Sequence, residues 1–273
     1  MWIGEATTCE DAHVFRLSQI FGALQLAVED LGNYYDRVSK DPGILPLVYN
    51  QPHPRFFPHP TGFMVENGAR PQWTKFEYID ACSSLPTNVT FIAKVKSSDQ
   101  KLVVKFVERY GVQAHQLLAD AGMAPRLLYC GPLDGEINIG DEAGSHAQDT
   151  SEICGLYVGQ IRMVIMEYIE GDAMSEERPV PENARTQIEE AIQRLHDAQL
   201  VFGDLRAPNI MVSGDKVFFI DFDWAGEEGK VRYPRNLSRR IRWPNAAEEL
   251  EMKPILKEHD LFMLRQLDQL FIR

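Results

Sequence analysis

Residues 200–226 read LVFGDLRAPNIMVSGDKVFFIDFDWAG, and the interpretation of the whole chain depends on this stretch. Asp204 and Asn209 lie five positions apart, and Asp221 follows twelve positions after Asn209. Between Asn209 and Asp221, the apolar runs IMV and KVFFI flank a Ser-Gly-Asp turn, which predicts a β-hairpin. Because a hairpin brings its ends together, we expect Asn209 and Asp221 to be neighbours, with Asp204 on the preceding loop.

The side chains that meet at this predicted site are all hard oxygen donors. Two carboxylates and an amide oxygen suit Mg²⁺ and do not suit zinc, which prefers nitrogen and sulfur ligands. The sequence therefore predicts a magnesium site at the base of the hairpin.

Composition limits the class of protein to which the chain can belong. Its 273 residues include 28 Lys and Arg against 40 Asp and Glu, for a net charge of −12. Such a charge argues against general binding to nucleic acid or to an anionic membrane. The four cysteines are far apart in the sequence, as expected of free thiols in a reducing compartment. With no secretory signal and no apolar run of about 20 residues, we expect a cytoplasmic or nuclear protein.

Hydrophobic periodicity predicts the order of the structural elements. A helix is expected at 13–38, followed by an extended Pro-rich stretch at 39–72. The runs FEYID, TFIAKV and KLVVKF then predict three antiparallel strands. Further along, we expect a helix at 112–120, a disordered acidic segment at 132–159, a strand in IRMVIMEYI and a helix at 182–198.

The order of these motifs resembles the protein-kinase-like fold, whose catalytic loop is H-R-D-L-x-x-x-N and whose metal motif is D-F-G. Here they read FGDLRAPN and DFD. The resemblance extends from about Phe76 to Asp260, and the chain is most similar to protein-kinase-like proteins common in filamentous and mushroom-forming fungi.

This resemblance implies an α+β, two-lobed fold with a small antiparallel β-sheet N-lobe and a mostly helical, truncated C-lobe. The domains would be an N-terminal helix and Pro-rich extension at 1–72, an N-lobe at 73–166 with the acidic insert 132–159, and a C-lobe at 167–273.

The same resemblance implies a set of nucleotide-binding residues. Lys105, in VVKF, would contact the α- and β-phosphates of ATP. Residues 164–174 would join the lobes, with Met166 as the gatekeeper and the backbone of Glu167 and Ile169 facing the adenine. The remaining candidates are Asp172 at the ribose, and Ser83 and Ser84, whose amides would approach the phosphates from a loop without glycine.

Phosphoryl transfer depends on positioning and charge neutralisation, which gives each polar residue of the motif a role. The resemblance implies that Asp221 bridges Mg²⁺ to the phosphates and that Asn209 holds a second metal ion. Asp204 would accept or orient the proton of the acceptor hydroxyl. Arg206 would stabilise the γ-phosphate or, alternatively, form a salt bridge that braces the loop. Asp260 would brace the backbone of the catalytic loop.

Several positions depart from the protein-kinase pattern. Phe202 and Gly203 replace the usual His-Arg pair, and Asp223 replaces the glycine of D-F-G. The Gly-Asp pair and this Asp are also found in kinases similar to aminoglycoside and choline kinases. Gln113 stands where the acidic partner of Lys105 is expected, so Lys105 is predicted to be unpaired or paired with glutamine.

Three functions therefore remain open. The first is transfer of the ATP γ-phosphate to a hydroxyl on a protein, and the second is the same transfer to a small molecule. The third is a nucleotide-binding pseudokinase that acts as an interaction module. Residues 230–242 carry six basic and no acidic side chains. They are interpreted either as a solvated loop or as a docking site for an acidic partner.

Overall fold

The computed structural model describes residues 7–41, 57–67, 70–82, 89–134 and 161–271. The chain divides into two compact units, residues 1–56 and 57–273. The described residues of the first unit, 7–41, form the helix α1 (Thr7–Lys40), which is longer than the predicted 13–38. Arg37 and Lys40 lie in its last turn, where positive charge interacts favourably with the helix dipole.

The second unit begins with an antiparallel sheet of six strands in the order β1-β2-β3-β4-β6-β5. Its first four strands are β1 (Gly62–Asn67), β2 (Arg70–Ala81), β3 (Thr90–Val95) and β4 (Lys101–Val107), and the last two are β5 (Leu127–Gly131) and β6 (Arg162–Glu167). The three strands predicted from Phe76 onward correspond to β2, β3 and β4, which confirms their antiparallel arrangement.

The sheet starts earlier than the sequence predicts. Strand β1 lies within the stretch 39–72, for which the prolines predict an extended linker, and the predicted boundary at residue 72 falls inside β2. The physical reason is that β1 pairs with β2 in register from Gly62 opposite Lys75 to Asn67 opposite Arg70. This pairing buries Phe63 almost completely against the sheet core.

Alternation along the central strands builds the core of the sheet. In β3, Phe91, Ala93 and Val95 are buried while the residues between them are partly exposed. Ala93 and Val95 pack with apolar side chains from the neighbouring strands, namely Phe63, Phe76, Leu102, Val104, Tyr129, Met163 and Ile165. The same alternation leaves Lys105 of β4 only partly buried, on the side opposite Val104.

The helical part is built around α3 (Ala184–Asp197), close to the predicted 182–198. Its apolar residues Ile188, Ala191, Ile192 and Leu195 form one buried face, as predicted. The other helices are α2 (Val112–Asp120), which matches its predicted range, α4 (Ala247–Leu250), and α5 (Lys257–Gln266), which a 3₁₀ turn at Leu267–Leu270 follows. The predicted α+β class, with a small antiparallel sheet followed by a mostly helical part, is confirmed.

Short strands carry the segment that decides the function. Strands β9 (Ile210–Ser213) and β10 (Lys216–Phe219) form the predicted hairpin, with Ile210 opposite Phe219. Strand β7 (Asp172–Ala173) pairs with β9, and β8 (Leu200–Val201) pairs with β11 (Gly226–Glu227). These pairings hold the loop after β8 and the segment after β10 next to each other.

Two predictions fall on residues outside the described ranges. These are the disorder of the acidic segment, apart from its first residues up to Asp134, and the placement of Ser83 and Ser84. Among the helices in the described ranges, none combines the length and apolar composition required to span a bilayer.

Candidate active site

The loop after β8 is fixed by a buried carboxylate from α5. Asp260 accepts hydrogen bonds from the amides of Phe202 and Gly203, both at 2.8 Å, and contacts Nε2 of His196 at 3.1 Å. Only 1% of Asp260 is exposed, so these contacts compensate for the burial of its charge. The predicted bracing role of Asp260 is confirmed.

Gly203 fits a position that few other residues tolerate. Its φ of 82° is in the left-handed region, and an added Cβ would lie 3.0 Å from Cδ1 of Ile255 and 3.1 Å from the carbonyl oxygen of Trp224. Phe202, which replaces the histidine of the kinase pattern, is buried edge-on against Phe219 and Phe222 at centroid distances of 5.2 and 5.3 Å. The Phe-Gly pair therefore positions Asp204 by packing and backbone conformation.

Asp204 is hydrogen bonded on both carboxylate oxygens. Nδ2 of Asn209 donates to Oδ2 of Asp204 at 2.8 Å and to its carbonyl oxygen at 2.9 Å. Arg206 forks onto the same carboxylate, with Nη2 at 2.6 Å from Oδ2 and Nε bonded to Oδ1. Burial raises the pKa of Asp204, and the hydrogen bonds and charge of Arg206 oppose that rise. Of the two roles considered for Arg206, the structure contains the loop-bracing salt bridge.

The hairpin brings Asn209 and Asp221 together. The amide of Ile220 donates to the carbonyl oxygen of Asn209 at 3.0 Å, directly before Asp221. Asp221 has a φ of 66°, a left-handed conformation that Asp adopts more readily than most residues. Its carboxylate lies close enough to Asp204 for the two charges to interact. The predicted convergence of Asp204, Asn209 and Asp221 is therefore present.

Lys105 joins the sheet to this site. Its Nζ lies 2.6 Å from Oδ1 of Asp221 and 2.7 Å from Oδ1 of Asp223. Burial alone would lower the pKa of Lys105, but the two carboxylates outweigh this effect and the pKa is raised. The prediction that Lys105 is unpaired or paired with Gln113 is wrong, because Gln113 is exposed on α2 and two aspartates bind the lysine.

Asp223 is the site residue to which the sequence reasoning gave no role. Burial raises its pKa to about 6, whereas the charge of Lys105 opposes that rise and the charge of Asp221 adds to it. The signal was present in the sequence as the departure of D-F-D from D-F-G, which places a second carboxylate two residues after Asp221. Only the fold reveals that both carboxylates reach the same ammonium group.

The oxygen donors at this site fit the predicted divalent ion. Asp221 supplies a carboxylate, and Oδ1 of Asn209 remains available because its contacts in the described residues use Nδ2. Within the described ranges, no cluster of three or more His, Cys, Asp or Glu side chains is arranged to hold a metal. A metal here would therefore need the amide oxygen of Asn209 as well as the carboxylate of Asp221, oxygen ligands that suit Mg²⁺.

The predicted adenine-side residues lie where β6 ends. Met166 is buried, opposite Val103 of β4 and Leu127 of β5. The Glu167 amide donates to the carbonyl oxygen of Arg126 at 3.0 Å, and its carboxylate pairs with the Arg126 side chain at 2.7 Å. Ile169 follows two residues later and is partly buried.

Asp172 is exposed in β7, where its carboxylate pairs with Arg178. The nucleotide contacts assigned to Asp172 and to the β6 residues stay predictions.

The basic segment 230–242 makes several local contacts. Lys230 pairs with Glu227 at 2.7 Å, and Arg239 pairs with Glu248 at 2.7 Å. Arg232 donates to the carbonyl oxygen of Met252 at 3.0 Å. These contacts match the interpretation as a solvated loop, and docking of an acidic partner stays a prediction.

Comparisons with known proteins found similarity over parts of the chain. Residues 150–251 match the family model described as "Lipopolysaccharide core biosynthesis protein (WaaY)". The chain is also 37% identical over 68 residues to the KEOPS complex subunit Bud32 of Pyrococcus abyssi, covering 23% of this chain and 31% of that protein. The chain thus spans about a third of the length of this curated relative.

A solved structure of vaccinia related kinase 3 is similar with a TM-score of 0.45 and 15% identity, covering 76% of this chain and 66% of that one.

Proposed function

We propose that this chain is a member of the protein-kinase-like superfamily that binds ATP with Mg²⁺ and transfers the γ-phosphate to a hydroxyl group on a protein. The observation that supports the proposal best is the meeting of two distant parts of the chain. Lys105 of the sheet binds Asp221, 116 positions later in the sequence, beside the hydrogen-bonded pair of Asp204 and Asn209. These four side chains correspond to the parts that phosphoryl transfer requires.

In this proposal each side chain has a distinct task. Lys105 binds the α- and β-phosphates, and Met166, Glu167 and Ile169 border the adenine. Asp221 and Asn209 hold Mg²⁺, which neutralises negative charge on the phosphates when bound. Asp204 orients the acceptor hydroxyl and accepts its proton, and the amide of Asn209 keeps this carboxylate in place. Further nucleotide contacts are proposed for Asp172 at the ribose and for Ser83 and Ser84 at the phosphates.

If Arg206 also acts in phosphoryl transfer, its guanidinium must bind Asp204 in one state and the γ-phosphate in another. Its guanidinium is permanently charged and can fork onto either a carboxylate or a phosphate. In the nucleotide-free chain it binds Asp204. We propose that a γ-phosphate competes for this guanidinium, which would free one oxygen of Asp204 for the acceptor hydroxyl.

Substitutions at the two key acids test the proposal. Asp204→Asn is expected to reduce turnover by roughly 10²–10⁴-fold and to leave nucleotide binding intact, because the general base is lost but the metal site is not. Asp221→Asn should instead abolish the Mg²⁺-dependent rise in melting temperature on addition of ATP. ATP consumption and thermal shift are the two measurements, with Asp215→Asn in the exposed hairpin turn as the matched control. Full turnover by Asp204→Asn would refute the base assignment.

A small-molecule acceptor is the second candidate. The Gly203-Asp204 pair and Asp223 favour it, and the family that matches residues 150–251 is described as acting in lipopolysaccharide core biosynthesis. A panel of generic protein substrates against alcohols and sugars, with ATP consumption as the readout, separates the two acceptors. Phosphorylation confined to the sugars or alcohols would replace the protein acceptor by this candidate.

A pseudokinase is the third candidate, motivated by the loop without glycine between β2 and β3. Gln113 no longer supports it, because Lys105 is paired without help from α2. Nucleotide binding without turnover on any acceptor would favour this candidate. For the protein in the cell, we propose a cytoplasmic or nuclear location and an acidic partner at residues 230–242.

A further inference from the structure

Lys105 has two carboxylate partners, and both come from the D-F-D segment, residues 221–223. The Nζ–Oδ1 distances are 2.6 Å to Asp221 and 2.7 Å to Asp223. The lysine side chain is 13% exposed and that of Asp223 is 29% exposed, so both ends of this second contact are well shielded from solvent. Shielding strengthens a charge-assisted hydrogen bond relative to one on the surface.

Helix α2, by contrast, supplies no carboxylate near Lys105. Its sequence is VQAHQLLAD, whose single acid is the last residue, Asp120, and its first turn contains none. Gln113 is exposed, and so is Glu108, which precedes the helix. Within the described residues, Lys105 forms ion pairs with the D-F-D segment alone.

Helix α2 contacts the middle residue of the D-F-D segment instead. The amide of Gly111 donates to the carbonyl oxygen of Phe222 at 2.9 Å. His115 stacks on the Phe222 ring with a centroid distance of 4.5 Å and an interplanar angle of 5°. A Cβ at Gly111 would lie 2.5 Å from the carbonyl oxygen of Ala225, so the approach of helix and segment requires glycine.

His115 is itself held in one orientation. Its Nε2 lies 2.7 Å from the carbonyl oxygen of Pro125, which can only accept, so Nε2 carries the proton. Its Nδ1 then accepts from the hydroxyl of Tyr110 at 2.8 Å. Because Phe202 also packs edge-on against Phe222, the Phe222 ring is fixed, and the flanking carboxylates of the D-F-D segment are fixed with it.

We propose that Asp223 is the positioning residue for Lys105, in place of an acid on α2. The inference rests on the proposed nucleotide site and adds a residue to it. An ammonium group has three N–H donors, of which the two carboxylates engage two, so the third remains for a phosphate oxygen. When a metal occupies Asp221, the contact to Asp223 keeps Nζ directed at the phosphates.

The charges at the site agree with this arrangement. One ammonium group between two carboxylates leaves a net charge of −1, which would favour a divalent cation. With a divalent cation at the site the sum would be +1, which would favour the anionic phosphates. A glycine at position 223 would leave Lys105 with Asp221 as its sole carboxylate in the described residues, and the metal would then compete for that carboxylate.

The test measures Lys105 directly in the full chain without nucleotide or metal. The probe is an N-hydroxysuccinimide ester, and the labelling rate of Lys105 is followed by peptide mass spectrometry. Asp223→Asn is expected to raise this rate severalfold, because the amine loses one of the two carboxylates that bind it and hold it inside the site. Asp223→Glu, which retains the charge, is expected to label nearly as slowly as the wild type. Asp215→Asn serves as the control and should leave the rate unchanged.

Nucleotide kinetics give the second measurement. Asp223→Asn should raise KM for ATP roughly tenfold, which is the effect of losing one charge-assisted hydrogen bond. Asp223→Glu should have a KM close to that of the wild type. Adding Gln113→Glu to Asp223→Asn should not restore slow labelling, because position 113 faces solvent.

Two results would overturn the proposal. One is a folded Asp223→Asn variant whose Lys105 is labelled at the wild-type rate but which requires a higher Mg²⁺ concentration to bind ATP. In that case Asp223 would act on the metal alone. The other is restoration of slow labelling by Gln113→Glu. Labelling requires no turnover, so a chain that fails to transfer phosphate still shows whether Asp223 positions Lys105.

Discussion

The catalytic loop (residues 200–209) and the D-F-D segment (residues 221–223) both present carboxylates to the site, but they are built differently. In the loop, Asp204 is 5% exposed and its partners Arg206 and Asn209 lie within five residues of it. In the segment, the Asp221 side chain is 39% exposed and its partner Lys105 lies 116 positions away. The loop is thus assembled within the helical part, whereas the geometry of the segment depends on the sheet.

Because of this difference, we expect the two regions to respond differently to a bound ligand. The backbone of the loop is held by buried contacts to Asp260 and Phe222, so we expect it to keep its shape whether or not a ligand is bound, with the Arg206 side chain as the part that would move. The partly exposed carboxylate of Asp221 would exchange Lys105 for a metal, whereas Asp223 would keep its contact with the lysine. Acceptor chemistry would therefore occur on a preformed surface, and nucleotide binding on one that rearranges its contacts.

The largest effect is expected where the loop meets α5. Asp260→Ala should lower the free energy of unfolding by about 3–5 kcal/mol, because the buried amides of Phe202 and Gly203 lose their acceptor. Urea denaturation measures this change, with Asp197→Ala on the exposed face of α3 as a control expected within about 0.5 kcal/mol of wild type. A loss below about 1 kcal/mol would mean that the loop does not depend on this acid.

The next effect concerns the support of the D-F-D segment. Burial lowers the pKa of His115 to about 4 from an ordinary value of 6.5, so the folded chain favours neutral imidazole. Its contribution to stability is complete above pH 6.5 and is lost as the pH falls from 6.5 towards 4, because the unfolded chain takes up the proton first. The shift corresponds to about 3 kcal/mol at pH 4.

His115→Phe isolates this contribution, since it keeps a ring against Phe222 and removes the titrating group. The variant should have a flatter dependence of unfolding free energy on pH between 6.5 and 4 than the wild type has. Urea titrations at intervals across this range give both curves. Parallel curves for the two proteins would show that His115 does not couple the segment to pH.

Contacts within the hairpin and contacts fixed by the order of the kinase motifs could be predicted from the sequence, whereas the partners of Lys105 could not. The hairpin that joins Asn209 to Asp221 follows from two apolar runs and a short turn, and Asp260 was identified because the kinase pattern fixes its order in the chain. The partner of Lys105 was predicted wrongly, because spacing along the chain does not reveal which of several acids reaches an amine from 118 positions away.

Strand β1 was missed for a different reason. The prolines of residues 39–72 favoured an extended linker, yet Phe63, Met64 and Val65 form a short apolar run and an Asn-Gly pair follows at 67–68. Asn-Gly is the preferred turn of a two-residue β-hairpin, so the residues themselves contained a signal for this strand. Its pairing with β2 extends the sheet on the edge away from Lys105.

The smallest effect on the free energy of unfolding is expected at two glycines with left-handed backbones. One lies in the catalytic loop and the other in the hairpin turn. Gly214 has a φ of 58° and nothing within 4 Å of an added Cβ, so Gly214→Ala should cost about 1 kcal/mol through backbone conformation alone. Gly203→Ala meets the same conformational cost together with the contacts to Ile255 and Trp224, and should cost about 2 kcal/mol.

The two glycine variants should differ more clearly in turnover than in the free energy of unfolding. Because Gly203 precedes Asp204 directly, a shift of a few tenths of an ångström there moves the proposed base, whereas the same shift at Gly214 moves only the hairpin tip. Turnover should therefore fall in Gly203→Ala and stay at the wild-type level in Gly214→Ala, with ATP consumption as the readout for both. Equal turnover in the two variants would mean that the preformed geometry of the catalytic loop does not limit the reaction.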